Sequence, residues 1–466
     1  MTVLKQPRLS TAIALLALAP WGSAPIVGAS PIPDTAVKPQ YVKLDLEKSW
    51  GEWEEALDPS PAGTGWGGWE KAIDSHDKRP AKRSLLHKRS HPVKFDMKNR
   101  EVYYSVNVTV GTPEQAMTVL LDTGSSDLWV VGSDVKCTPR LKEDPTCKAL
   151  GTFNTNNSCT WSGNGTRFSI EYADSSFARG EWGMDVVHVN GLKVDGLTFA
   201  VADEAASSVG VFGIGLTGLE TTNEVEPPHS YDNFPLLLKR NGVIASNSYS
   251  LYTNQYNAEY GSILFGGVDH KKYKGKLLTV PIINTDPKRS SVPTSLSVTL
   301  NGVTYSTAEN KTDTIHSPIG ALLDSGTTLS YFPKEIADAM AVAVGAQWSE
   351  QFGSYVRKCP ADNDKSTLDF NFSGNKIRVP IDDYSIYTSV PGLCAFGFMP
   401  YGGDIAILGD VFLTAAYVVY DLDRLEISIA EANYSTAEEI EPIVSGVPRA
   451  EKAPGYSNVW VPNNQK

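Results

Sequence analysis

Apolar and polar positions alternate over short stretches of this chain. Tyr41-Val42-Lys43-Leu44-Asp45-Leu46 and the segment from Glu101 to Val110 read as half-buried strands. Clusters of Gly, Ser, Thr, Asn and Asp separate such stretches and supply turns. Two segments break the rhythm. Phe234 to Arg240 stops at Asn241-Gly242, and Pro333 to Val344 has Pro at its start and Gly345 just after its end. Both patterns predict short helices inside a mainly β protein. A different apolar run, Thr11 to Pro20, follows Lys5 and Arg8 and is too short to span a bilayer. Small residues come next, at Gly22-Ser23-Ala24 and Val27-Gly28-Ala29. This predicts a signal peptide over residues 1–29, since a cut after Ala24 would leave Pro25 first.

One piece of the pattern occurs twice. Leu120-Leu121-Asp122-Thr123-Gly124-Ser125-Ser126 returns as Leu322-Leu323-Asp324-Ser325-Gly326-Thr327-Thr328. Each copy is an apolar strand running into an Asp, a small hydroxyl residue and a Gly that permits a sharp turn. An apolar-apolar-Gly segment follows each copy, Val211-Phe212-Gly213 and Ile407-Leu408-Gly409. Two such loops placed face to face bring two carboxyl groups together. Like charges that close do not both ionise readily, so they share one proton, and the pair can act as base and acid at once. That chemistry activates a water against a peptide bond.

On these residues the chain resembles the pepsin-like aspartic proteases, and within them the fungal candidapepsin and yapsin group. The resemblance runs from about Val93 to about Asn433. It includes Tyr104 to Pro113 before the first Asp, Asp122 to Val130 around it, Gly261 to Asp269, and Ile407 to Phe412. It implies a bilobal fold of two β-barrel-like lobes with a cleft between them. The N-terminal lobe is expected over 90–280, the C-terminal lobe over 281–435, and a C-terminal extension over 436–466. Asp122 and Asp324 would be catalytic. Ser125 and Thr327 would bond their outer oxygens, and Thr123 and Ser325 would tie the two loops together, with Gly124 and Gly326 at the turns. Phe168 to Ser176 resembles the substrate flap. There Tyr172 would bond Trp129, and Asp174 would accept a basic residue before the scissile bond. The family commonly has Gly after that Tyr and again two residues later. Ala173 and Ser175 here imply a stiffer turn or one of another type.

Residues 30–89 read as a pro-segment and intramolecular inhibitor. Tyr41 to Leu46 is similar to the first strand of the family's pro-segments, and Lys78-Arg79, Lys82-Arg83 and Lys88-Arg89 offer dibasic cutting sites. A cut after Arg89 would start the mature chain at Ser90; Pro80 hinders the first pair. A basic pro-segment over an acidic cleft would weaken its hold as carboxylates protonate, so maturation is expected to be faster in acid.

The charge balance fits that picture. A net charge of −12 leaves no basic face for nucleic acid, and no C-x-x-C spacing or His cluster points to a metal. No cofactor is expected. The end of the sequence, Asn458 to Lys466, is polar and lacks the apolar run of a lipid-anchor signal. A monomer without a membrane anchor is expected, exported to the medium or carried to a vacuole. Five cysteines cannot all pair within one chain. The resemblance implies Cys137–Cys147 and Cys359–Cys394, while spacing alone leaves Cys159 free to pair with Cys137 or Cys147. Sequons stand at Asn107, Asn156, Asn164, Asn310, Asn371 and Asn433, with Asn107 inside a predicted strand. A relative that binds peptides without cutting them is the second reading, and two intact Asp loops argue against it. A cell-wall interaction protein is the third.

Overall fold

The computed structural model describes residues 41–50, 102–138, 147–172, 176–207, 209–256, 258, 260–315 and 317–462. The expected signal peptide, most of the expected pro-segment and the tip of the expected flap with Ala173, Asp174 and Ser175 lie outside the described residues.

Alternating sequences form the strands they predict, with bounds set by packing. β1 (Val42–Trp50) runs four residues past the predicted stretch, because it is paired on both sides. β2 (Val102–Val110), β3 (Gln115–Asp122), β4 (Leu128–Cys137), β5 (Ser162–Glu171), β6 (Phe177–Val189), β7 (Leu192–Ala205) and β8 (Gly210–Gly213) follow. Pairing runs β2-β3-β8-β4-β7-β6, and β6 returns to β2. That closure makes the first lobe a barrel without a free edge at this ring.

The same sheet continues from β2 through β1 into strands Tyr260–Phe265, Ser248–Tyr252, Ala416–Asp421, Glu426–Ala432, Tyr273–Pro281 and Ala450–Lys452, giving 14 strands among the described residues. β1 is therefore an interior strand, with Leu44 and Leu46 fully buried. The second lobe adds three smaller sheets. One of them orders Ser297–Leu300, Ile319–Leu323, Ala406–Leu408, Ser330–Pro333 and Phe398–Tyr401.

The sequence duplication is a duplication of pairing. β3 lies parallel to β8 with Asp122 opposite Gly213, and Ile319–Leu323 lies parallel to Ala406–Leu408 with Leu323 opposite Leu408. In each lobe a third strand crosses antiparallel, Trp129 against Val211 and Tyr331 against Ile407. Apolar runs flank each Asp because these strand pairs are buried or half-buried on both faces.

The two predicted helices are present. α1 (Phe234–Arg240) ends at Asn241, and α2 (Lys334–Val344) begins one residue after the predicted Pro333, which caps it. α2 buries Ala337, Met340, Ala341 and Val344, the spacing of one helix face. Gly345, at φ +72°, closes it in the left-handed conformation that Gly tolerates best. No helix among the described residues is long and apolar enough to cross a membrane.

The polar C-terminal extension is built into the fold. Ile440–Pro442 pairs with Gly267–Asp269, and Ala450–Lys452 runs parallel to the strand at Leu277–Thr279. Disulfides join Cys137 to Cys147 and Cys359 to Cys394, and Cys159 is unpaired and exposed. Asn107, Asn156, Asn164 and Asn310 are exposed; Asn371 and Asn433 are half-buried.

Candidate active site

Both Asp loops sit where a buried parallel strand pair ends. Asp122 and Asp324 are 5 % and 8 % exposed. Each carboxyl group has the same two donors. Gly124 N–H and Ser125 Oγ–H donate to Asp122, the amide at 2.7 Å. Gly326 N–H and Thr327 Oγ–H donate to Asp324 at 2.9 and 2.5 Å. Donors on both oxygens fix the carboxyl plane before any substrate arrives, which is where preorganised catalysis draws its advantage.

The loops are then tied to each other. Thr123 Oγ1 donates to Leu323 O, and Ser325 Oγ donates to Leu121 O, both at 2.9 Å. Each hydroxyl also accepts the opposite backbone amide, Ser325 N–H to Thr123 Oγ1 at 2.9 Å and Thr123 N–H to Ser325 Oγ at 3.2 Å. All four groups are buried, so every bond lost would strand a partner.

The glycines have a tighter reason than turning. A Cβ placed on Gly124 would lie 2.5 Å from Asp324 Oδ1, and one on Gly326 would collide with Asp122 Oδ1. Neither residue has positive φ. Gly is required because the opposing carboxyl group approaches each loop's backbone, so the motif encodes the meeting of the two lobes.

Burial and the facing Asp324 carboxyl group push the Asp122 pKa well above the carboxylate range, despite the opposing effect of the Ser125 and Gly124 bonds. One proton is therefore retained by the pair far above the pH at which an isolated Asp loses it.

Trp129 Nε1–H donates to Tyr172 Oη at 2.8 Å, joining the strand after the first Asp to the residue that follows β5, next to the turn of its hairpin with β6. Below the loops, Tyr249 and Tyr420 lie 4.9 Å apart, and Tyr249 Oη donates to Ile214 O. Neither tyrosine carries a motif, and only their spatial position marks them.

Three further acids are buried, Asp127 in the loop that follows the Asp122 strand, Asp410 after the partner strand Ala406–Leu408, and Glu220 beyond Asp127. Asp127 accepts Tyr231 Oη–H at 2.8 Å and Thr221 N–H at 2.9 Å. Glu220, fully buried, accepts Tyr231 N–H at 3.0 Å, and its other oxygen has no protein partner. Burial, with the nearby Asp127 charge, pushes Glu220 up to about 9. Asp410, beside Gly409, has both oxygens unpartnered; burial raises its pKa strongly, and the ammonium of Lys48 on β1 opposes the rise. The burial of these carboxyl groups was not legible in sequence, because Asp and Glu are ordinarily read as surface residues.

This fold and site define an aspartic endopeptidase of two lobes. The profile described as Eukaryotic aspartyl protease matches residues 103–432, and the chain belongs to that pepsin-like family. It is 38 % identical to Aspartic proteinase MKC7 of Saccharomyces cerevisiae, over 93 % of this chain and 80 % of that protein. It is 42 % identical to Aspartic proteinase yapsin-3 of the same yeast, over 79 % and 73 %. Secreted aspartic protease 9 of Candida albicans is 33 % identical over 77 % and 82 %. In structure it is similar to the aspartic proteinase from Irpex lacteus, with TM-score 0.58 and 22 % identity, covering 72 % of this chain and 96 % of that one. That likeness concerns the fold alone.

Proposed function

We propose that this endopeptidase is exported, made as a zymogen, and active in acid through one water held between Asp122 and Asp324. The observation that carries the reading is the pair of buried carboxyl groups, each resting against the other loop's Gly, on a cross-tied frame. The ionised member takes a proton from the water, and the resulting hydroxide adds to the scissile carbonyl carbon. The protonated member gives its proton to the carbonyl oxygen. Collapse of the tetrahedral species with protonation of the amide nitrogen breaks the C–N bond and returns the pair to one shared proton. No covalent acyl-enzyme forms. The peptide lies extended across the cleft under the hairpin that carries Tyr172, held by main-chain hydrogen bonds and selected by side-chain pockets.

Signal peptide 1–29, pro-segment 30–89, mature start at Ser90, lobes over 90–280 and 281–435, and extension 436–466 make up the proposed organisation. Two observations support the zymogen. β1, from within 30–89, fills an interior place in the central sheet. Its sequence Val42-Lys43-Leu44-Asp45-Leu46 is echoed by Val93-Lys94-Phe95-Asp96-Met97, just after the proposed cut. The proposed mature chain thus carries a segment of the same alternating pattern. Export is supported by paired cysteines and by the relative named as secreted. Apolar or basic residues before the scissile bond are proposed from Asp174, which lies outside the described residues.

The test is cleavage of a denatured protein between acidic and neutral pH, with and without pepstatin, by the wild type and Asp122→Asn. Cleavage favoured in acid, blocked by pepstatin and lost in the variant is expected. Inactivity of correctly matured wild type would overturn the reading. Mapping cut sites with Asp174→Ala is expected to show a selective loss of cuts after Lys; an unchanged Lys-to-Phe ratio rejects the role of Asp174.

A further inference from the structure

The family match ends at Ala432, yet the chain continues as ordered backbone to residue 462. This extra length is anchored stepwise, first on the central sheet and then on the second lobe. Ile443 N–H donates to Gly266 O, Ala453 N–H to Thr279 O, and Gly455 N–H to Ser373 O. The path ends at Trp460, whose N–H donates to Thr299 Oγ1 at 2.9 Å.

Thr299 is the cross-strand partner of Gly320, and Gly320 lies in Ile319–Leu323, the strand that runs into Asp324. Trp460 occupies both members of that pair. Its backbone is bonded to Thr299 while its indole sits over Gly320. A Cβ on Gly320 would meet Trp460 Cζ3 at 3.0 Å, Ile405 Cγ2 at 2.9 Å and Thr285 Cγ2 at 3.2 Å. Gly320 has no positive φ, and a Gly inside a strand weakens it unless something needs its bare surface. Here the indole and its neighbours need it. Ile405 in turn leads into Ala406–Leu408, where Leu408 O accepts Asp324 N–H at 3.0 Å. The ring thus covers Gly320 of the strand that ends at Asp324, and Ile405, the residue before that strand's parallel partner, meets the same spot.

We propose that Trp460 is a positioning residue for Asp324: the extension beyond the family's common fold straps the Asp324 strand in place. The strap acts through the strand and touches neither substrate nor the reacting atoms. It works on one carboxyl group of the pair, so loss of the indole changes the spacing on which the shared proton depends. A displacement well under 1 Å suffices, since about 1 Å of misplacement costs about a hundredfold.

The inference rests on Asp324 being catalytic, which Asp324→Asn tests separately. The experiment uses full-length, matured enzyme and a soluble peptide substrate, with Trp460→Ala, Trp460→Phe and Thr299→Val beside the wild type. Expected for Trp460→Ala is a kcat about five- to tenfold lower with KM within about twofold. The basic limb of the kcat–pH profile should also move. Trp460→Phe should restore kcat to within about twofold of wild type, and Thr299→Val should lower it about two- to threefold. A purely structural role predicts a lower thermal midpoint with kcat and its pH profile unchanged, and that result overturns the proposal. Should Trp460→Ala not fold, Thr299→Val decides: an unaltered kcat and pH profile in that variant rejects the strap. With an active wild type and an inactive Asp324→Asn, such a failure leaves the proposed catalytic pair standing.

Discussion

The two Asp loops share a backbone plan and differ in what surrounds it. Each has an Asp ending a buried strand, a parallel partner strand, and a Gly against which the opposite carboxyl group rests. Five residues past the Asp, however, the first loop has buried Asp127 and the second has Leu329. After the partner strand's Gly the order reverses, with Ile214 in the first lobe and Asp410 in the second. Seven residues past the Asp, Trp129 reaches toward the hairpin that carries Tyr172, while Tyr331 packs edge-on against Tyr401. Duplication supplied a symmetric frame, and the lobes then divided the remaining work. The first lobe holds the hairpin, and the second is supported from behind by the extension. What must stay symmetric is the set of groups within a bond of the carboxyl pair.

That division can be broken at several depths. The largest effect should come from Asp122→Asn and Asp324→Asn, each lowering kcat about a hundred- to ten-thousandfold. The losses should be similar, because a shared proton belongs to both. One variant retaining more than about a tenth of wild-type activity would show that the sites are not a pair.

Next come Gly124→Ala and Gly326→Ala. Each methyl group would enter the space of the opposing carboxyl group, so each should cost about a hundredfold in kcat. Measured side by side they test the symmetry directly: near-wild-type activity in either would mean the lobes meet less closely on that side.

The smallest effect concerns the asymmetric acids. Glu220 is raised to about 9, so the folded state keeps a proton that the unfolded chain releases near the ordinary carboxyl range. Its contribution to stability is full at low pH and is lost as pH rises toward 9. Glu220→Gln should therefore raise the thermal midpoint at pH 7, by about 1–3 kcal/mol of stability, and leave it unchanged at pH 4. Equal midpoints at pH 7 would show that Glu220 carries no such linkage, with Asp410 in the second lobe the next group to vary.

Much of this was legible in the chain. Alternation marked the strands, and Gly345 and Asn241-Gly242 marked the helix ends. The repeated motif marked the carboxyl pair because its neighbours obey strict local demands. Other features left no local trace. Trp460 reads as one aromatic in a polar tail, and its meaning comes from Gly320, far earlier in the chain. Tyr249 and Tyr420 come together only when the central sheet forms. Lys48 looks like a solvated charge, yet it is 5 % exposed, because β1 carries it inward. Such roles depend on partners distant in sequence, and no periodicity reports them.

The interior placement of β1 has a consequence for solubility. It joins two neighbours, pairing with the whole of the strand Tyr260–Phe265 and with Val102–Ser105 of β2. Were β1 withdrawn and its place left empty, two rows of unpaired N–H and C=O groups would open in the middle of the central sheet, lined by the apolar residues that had covered Leu44 and Leu46. Bare edges of that kind recruit strands from other chains. Any maturation that discards β1 must therefore refill the gap faster than molecules meet, and a preparation matured at high protein concentration would be the first to form aggregates.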